Sequence, residues 1–191
     1  MAKVWVTSDP HFGHNYVART RGFPDTDEHD GAILDAVREK LYKDDTVIWL
    51  GDLALARPEA ACRYIAALPG THDLVLGNHD KGHPMYRDAP RWQAVYRTAF
   101  RSVSTSLRRK AGSTSVLLSH FPYDGDHTTT DREQQYRLRD LGLPIVHGHT
   151  HAAKIVTRSQ EGTLQVHVGW DTWGGLVDWD EVVSIVEEES P

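Results

Sequence analysis

Five short clusters in this chain carry side chains able to bind a metal: Ser8-Asp9-Pro10-His11, Gly51-Asp52, Gly77-Asn78-His79-Asp80, Ser119-His120 and Gly148-His149-Thr150-His151. Asp9 and His11 are two positions apart, which in an extended segment puts both on one face and within reach of a single ion. Asp52 offers two carboxylate oxygens that can bridge cations about 3.5–4 Å apart, the separation used by two-metal hydrolases. Gly77 permits a sharp turn before Asn78, whose amide oxygen is a neutral ligand, and His79 can then point elsewhere. Taken singly, Asn78-His79 also reads as a plain turn pair, and His120 as a buried histidine satisfied by a carbonyl. His147, His149 and His151 alternate along the chain, and that triplet alone would equally suit a mononuclear zinc site.

Each cluster ends an apolar run: VWVT, VIWL, DLVL, VLL and PIV in turn. Short, β-branched runs flanked by turn residues read as buried strands. Open sheets hold ligands beyond the carboxyl ends of their strands. The pattern predicts strands at 3–7, 46–50, 73–76, 99–109, 114–119, 145–147, 153–158 and 163–170, with turns at Gly112-Ser113 and Glu161-Gly162. Ile33, Leu34, Val37 and Leu41 predict an amphipathic helix over 31–42, preceded by the acidic stretch Asp25–Asp30. Pro58 opens a second helix that Pro69-Gly70 stops near Leu68, and 82–97 is irregular to helical. Strand–helix alternation followed by mostly strands predicts two sheets packed face to face with helices outside. The polar stretch 122–144 is either an excursion near the site, helical around 131–141, or a surface connection.

A length of 191 residues suits one domain, over 1–191, able to bury a core. The net charge of −6 excludes a broad phosphate-tracking surface, so no extended nucleic-acid partner is expected, though a small phosphoester remains compatible. No apolar run is long enough to span a membrane, and the start MAKVWVTSDPHFGH lacks the apolar core of a signal peptide. The lone Cys62 rules out an intrachain disulfide and fits a reducing compartment, so the expected location is cytoplasmic. Cys62 also falls in a predicted helix away from every cluster, leaving no thiolate ligand.

Together and in this order the clusters resemble the calcineurin-like metallophosphoesterase family, whose motifs run D-x-H, G-D, G-N-H-[D/E], H and G-H-x-H. The match spans Asp9 to His151 with every metal-binding position filled, and the short length and His11-Phe12-Gly13-His14 look like compact bacterial or phage members. The resemblance implies an α/β (α+β) fold, a four-layer α-β-β-α sandwich with two facing mixed β-sheets. It implies a dinuclear centre in which Asp9, His11 and His151 hold one ion, Asn78, His120 and His149 hold the other, and Asp52 bridges. Mixed carboxylate and imidazole ligands suit Mn²⁺, the favoured metal, or Fe, Zn²⁺ or Ni²⁺, over Ca²⁺. A hydroxide formed between two divalent ions would attack phosphorus, with His79 as the catalytic general acid. Small phosphodiesters such as 2′,3′-cyclic nucleotides are the expected substrates. The alternatives are a phosphomonoesterase or nucleotide phosphatase and a non-catalytic metal-binding scaffold.

One departure stands out. Many members carry G-D-x-x-D, whereas Gly51-Asp52 continues as Leu53-Ala54-Leu55, so the Asp that would orient His79 is absent. A backbone carbonyl or Asp80 could replace it. Further candidates are Asn15, Arg21 and Tyr123 for substrate contact, and Asp80 and Asp171 as carboxylates bracing the ligands. Their bland readings are turn capping for Asn15 and His14, solvated loop residues for Arg19 and Arg21, core packing for Tyr123 and a strand-end turn for Asp171. His29, His72, His83 and His127 read as surface histidines, Trp170, Trp173 and Trp179 as core or edge-covering aromatics, and Glu187-Glu188-Glu189 as a solvated end.

Overall fold

The computed structural model describes residues 2–189. Its first sheet joins β1 (Val4–Thr7), β2 (Thr46–Trp49), β3 (Thr71–Val75) and β4 (Ser102–Ser104) in parallel. The short β10 (Val177–Asp178) lies antiparallel on β1. The second sheet runs β5-β6-β7-β9-β8, from β5 (Leu107–Ala111), β6 (Thr114–Leu118), β7 (Ile145–His147), β9 (Leu164–His167) and β8 (Val156–Arg158). Its β6/β7 and β7/β9 pairs are parallel and its outer pairs antiparallel, so both sheets are mixed.

Period-two alternation divides the first sheet between two cores. Trp5, Val47, Trp49 and Leu74 face α2 (Thr26–Lys40), α3 (Pro58–Ala66) and α4 (Ala89–Tyr96). Val6, Ile48, Leu50 and Val75 face Val116, Leu118, Val146 and Val166 of the second sheet. Among the described residues no helix is long and apolar enough to cross a membrane.

The differences from the sequence expectations have local causes. Helix α2 starts at Thr26, not near 31, because Asp25 caps it by accepting from the amides of Asp27 and Glu28, and those acids then lie at its positive end. The single strand expected over 99–109 is two, since the chain leaves the first sheet after Ser104 and enters the second at Leu107. The helical piece expected around 131–141 is one 3₁₀ turn, Gln134–Tyr136. The strand expected to reach 170 stops at His167, and Trp170 begins the short α5 (Trp170–Trp173). The terminal glutamates are exposed, as expected, but they close an unexpected helix, α6 (Trp179–Glu189), which buries Val182 and Val186 in the inter-sheet core. His29, His72 and His83 are buried rather than on the surface. Each has a local partner: His29 the Asp30 carboxylate, His72 the Trp49 indole, His83 the rings of Phe121 and Tyr136.

Candidate metal centre

Parallel pairing of β1 with β2, β2 with β3 and β6 with β7 sends five strands out at one edge, each followed within three residues by a donor side chain. The loops are zipped together by backbone: the amides of Asp9 and His11 donate to the carbonyls of Gly51 and Asp52, both at 3.1 Å. His120 and Gly148 are joined the same way, Gly148 donating to the His120 carbonyl at 3.0 Å. The two sheets are also joined here, the His149 amide donating to Asp9 Oδ2 at 3.0 Å and the His120 ring bonding the Leu50 carbonyl.

The backbone itself is strained here. Asp9, His11, Asp52, His149 and His151 all adopt positive φ, between 49° and 67°, a region side chains other than glycine rarely enter. Glu133 is the only other such residue described, so the strain is concentrated where the donors are, as at sites held in place by the surrounding fold. Close packing adds to it: a Cβ at Gly51 would lie 2.3 Å from the amide nitrogen of Gly77.

The side chains converge in two groups. In the first, donor atoms of Asp9, His11 and His151 lie within 4.8 Å of one another, with His11 Nε2 and His151 Nε2 3.3 Å apart. In the second, Asn78 Oδ1 is 3.0 Å from both His120 Nε2 and His149 Nδ1, which are themselves 3.2 Å apart. Asp52 stands between, with Oδ2 3.9 Å from His11 Nε2 and Oδ1 3.5 Å from His120 Nε2. A cleft of about 400 Å³ opens on the first group, lined by His11, His14, Tyr16, Arg21, His79, His127 and His151 among others.

These atoms lack protons to share. His120 Nδ1 donates to the Leu50 carbonyl at 2.7 Å, and His149 Nε2 donates to Asp126 Oδ2 at 2.9 Å. The ring nitrogens facing Asn78 Oδ1 are therefore both lone pairs, so three acceptors crowd together with nothing to donate between them. In the same way His151 Nδ1 donates to Asp171 Oδ2 at 2.6 Å, leaving Nε2 bare beside His11. Asp9 Oδ1 is buried with no hydrogen-bond partner. Such a set fits cations, and the residues present suit imidazole- and carboxylate-binding divalent ions.

The electrostatics agree. Burial and the adjacent Asp9 push the Asp52 carboxyl well above its ordinary value, while Asp9, despite its own burial, is held below the carboxylate range by His120, His151 and His11. Burial and Asp52 raise Asp80 to about 7. Among the described residues no Lys or Arg is within ion-pair distance of these three carboxylates. The charge they would carry has no side-chain counterion.

The remaining predicted residues fall in different places. His79 reaches the cleft, its amide donating to Asp52 Oδ1 at 2.8 Å and its Nε2 3.8 Å from Asp52 Oδ2. Burial, with His120 and His14, lowers its pKa to about 4. Asp80 does not orient it: its carboxylate accepts the amides of Asp52, Leu53 and Gly77 at 2.8–3.1 Å and so locks two donor loops together. Asp171 braces His151, and Arg21 braces Asp171. Arg21 lines the cleft but is fully engaged, also donating to the carbonyls of Asp9 and Pro10, which corrects its expected substrate contact. Asn15 begins α1 (Asn15–Thr20), capped by His14, and lines a separate cavity with Asp25 and Tyr64, away from the donor groups. Tyr123 is a core residue whose hydroxyl donates to the Leu143 carbonyl. His147 does not join His149 and His151; its ring packs beside His167, because the left-handed turns at His149 and His151 break the alternation on which a three-histidine zinc site depended.

Sequence reasoning missed Asp126, the partner of His149, which lies in the irregular 122–144 stretch without any motif around it. It also set aside His127, whose ring is 5.7 Å from that of His151 at the cleft, and did not consider Tyr16, exposed on the cleft wall.

Two mixed five-stranded sheets with helices, and Asp, Asn and His gathered at one edge, define a phosphoesterase-type α/β fold. The chain belongs to the calcineurin-like phosphoesterase superfamily, whose domain model matches residues 3–174. It is 44% identical to the Gene 66 protein of Mycobacterium phage D29, over 98% of each chain. It is 43% identical to the Gene 66 protein of Mycobacterium phage L5, over 97% of this chain and 95% of that one. Among solved structures, the protein of unknown function AQ665 from Aquifex aeolicus superposes with a TM-score of 0.70 at 21% identity, covering 97% of this chain and 100% of that one. At that identity the likeness is one of fold.

Proposed function

We propose that the protein is a two-metal phosphodiesterase acting on small phosphodiesters, with Mn²⁺ the favoured metal and 2′,3′-cyclic nucleotides among the substrates. The observation that carries this reading is Asp52, which turns one oxygen toward His11 and the other toward His120 and so stands between the two donor groups. In this reading Asp9, His11 and His151 hold one ion, Asn78, His120 and His149 the other, and Asp52 bridges. When bound, the two cations supply positive charge for the phosphoryl oxygens and acidify a water for attack on phosphorus.

The chain's own groups do the rest. His79 stands at the cleft and, with its pKa near 4, is neutral at pH 7, so it offers an N–H to a phosphoryl or leaving-group oxygen. It becomes a full general acid only once a substrate's negative charge raises that pKa. The engagement of Arg21 favours diesters over monoesters, because the guanidinium lining the cleft is already paired and a dianion would gain little from it. Tyr16, 72% exposed on the cleft wall, offers a face on which an aryl group or nucleobase can stack. The substrate is thus a small molecule, and the net charge of −6 is consistent with that.

The test compares bis(p-nitrophenyl) phosphate, p-nitrophenyl phosphate and 2′,3′-cyclic nucleotides with Mn²⁺, Zn²⁺ and Ni²⁺. Asp52→Ala is expected to lower kcat/KM roughly 1000-fold, and His79→Ala about 100-fold. Unchanged turnover in both variants would overturn the assignment. A single ion bound per chain at saturation would overturn the dinuclear form of it.

A further inference from the structure

The stretch 122–144 has one short 3₁₀ turn and no other regular structure, yet it places a carboxylate directly against His149. Asp126 has a fully buried side chain, and Oδ2 accepts the Nε2 proton of His149 at 2.9 Å. Two arginines of the same stretch hold that carboxylate: Arg132 Nη2 donates to Oδ1 at 2.9 Å and Arg137 Nη2 to Oδ2 at 3.2 Å. Arg137 is itself almost buried, and its other nitrogen donates to the Gly125 carbonyl at 2.9 Å. Both guanidinium groups donate to the Asp126 carboxylate, which fills its remaining contacts with donors and pairs it with positive charge. It is therefore an acceptor only, and the imidazole proton it fixes must sit on Nε2.

We propose that Asp126 is a positioning residue: it holds His149 in the tautomer that leaves Nδ1 bare toward Asn78 and His120, and so couples divalent-cation binding by that group to the docking of segment 122–144. This rests on the two-metal reading above. Histidines that ligate metals commonly donate their second N–H to a carboxylate, and loss of that partner weakens metal binding about 10–100-fold. The coupling runs both ways. A cation held at Nδ1 would make Nε2–H a stronger donor, and so tighten the hold of the Asp126–Arg132–Arg137 cluster, and of the stretch that carries it, on His149.

The experiment is calorimetric titration of the metal-stripped full-length protein with Mn²⁺, with limited trypsin digestion at each metal concentration. Wild type is expected to bind two ions and to become more resistant to cleavage after Arg132 as they bind, since that side chain is 39% exposed. Asp126→Ala should weaken only one of the two steps, by about 10–100-fold, and should lose the metal-dependent protection. Asp126→Asn keeps the side chain's shape but can turn its NH2 toward Nε2 and release the tautomer, so it should weaken the same step about 10-fold; it decides the matter if the alanine variant does not fold. Two unchanged binding steps in both variants overturn this inference and leave the phosphoesterase reading intact. A wild type that binds fewer than two ions overturns the two-metal reading, and this inference with it.

Discussion

His149 and His151 stand two residues apart in one loop, both on left-handed backbone, yet they belong to opposite halves of the centre. His149 turns Nδ1 inward and is sealed, its side chain 2% exposed and its partner Asp126 fully buried. His151 turns Nε2 inward and lies open, 27% exposed, with its partner Asp171 25% exposed. The device is the same in both, a carboxylate backed by arginine that fixes the tautomer. Only the access differs. A closed, pre-organised half suits an ion that stays, and a half facing the cleft suits one that meets substrate and exchanges with solvent.

The largest way to break the comparison is to remove what both halves share. A methyl group at Gly148 would lie 1.9 Å from Ser8 Oγ and 2.4 Å from Asp9 Oδ2. Asp9 belongs to the open half, while Ser8 Oγ donates to the same Leu50 carbonyl that fixes His120 in the sealed half. Gly148→Ala is therefore expected to abolish binding of both ions and to cost about 1–3 kcal/mol of stability, read by metal titration and by denaturant unfolding. A variant that keeps one tight ion would show the halves to be independent at their base. Next in size is Asp171→Asn, which should weaken the open-half ion about 10-fold and leave the sealed one unchanged. The same titration checks it, and equal loss from both steps would dissolve the distinction.

How much of this was legible in the sequence differs between the two halves as well. The donor residues of both could be named because each directly follows an apolar strand, and strand ends are local in sequence. Asp171 was within reach for a similar reason, lying just past β9. Asp126 was not: nothing adjacent marks it, and its role exists only once Arg132 and Arg137 fold around it. The fold shows the same division. Period-two and helical spacings placed the sheets, but the change of sheet between Ser104 and Leu107 leaves no trace in the hydrophobic pattern, since Ser102–Ser104 and Leu107–Ala111 carry only one and two apolar residues. Helix α6 was hidden behind a run of glutamates, although Trp179, Val182 and Val186 are spaced to bury one face. His72 and His83 were taken for surface groups because residue type says nothing of a partner that the fold brings from elsewhere, and His29 because its neighbour Asp30 says nothing of burial.

The smallest expected effect sharpens the comparison from the substrate's side. Tyr16 projects from α1 onto the cleft that opens on the His11 and His151 group, so it can touch what enters without being one of the donor residues. Stacking of a base or aryl ring on an exposed tyrosine is worth about 1 kcal/mol at the low end of measured values, which is roughly a fivefold change in an equilibrium constant. Tyr16→Ala should accordingly raise KM for aryl and nucleoside diesters about fivefold with kcat held. Tyr16→Phe should keep the wild-type value, because the ring and not the hydroxyl does the stacking. A diester without an aromatic arm, such as glycerophosphocholine, supplies the decisive contrast. If its KM rises as much as that of the aryl substrate, Tyr16 acts by shaping α1 and the cleft wall, and the preference for aromatic diesters loses its structural basis.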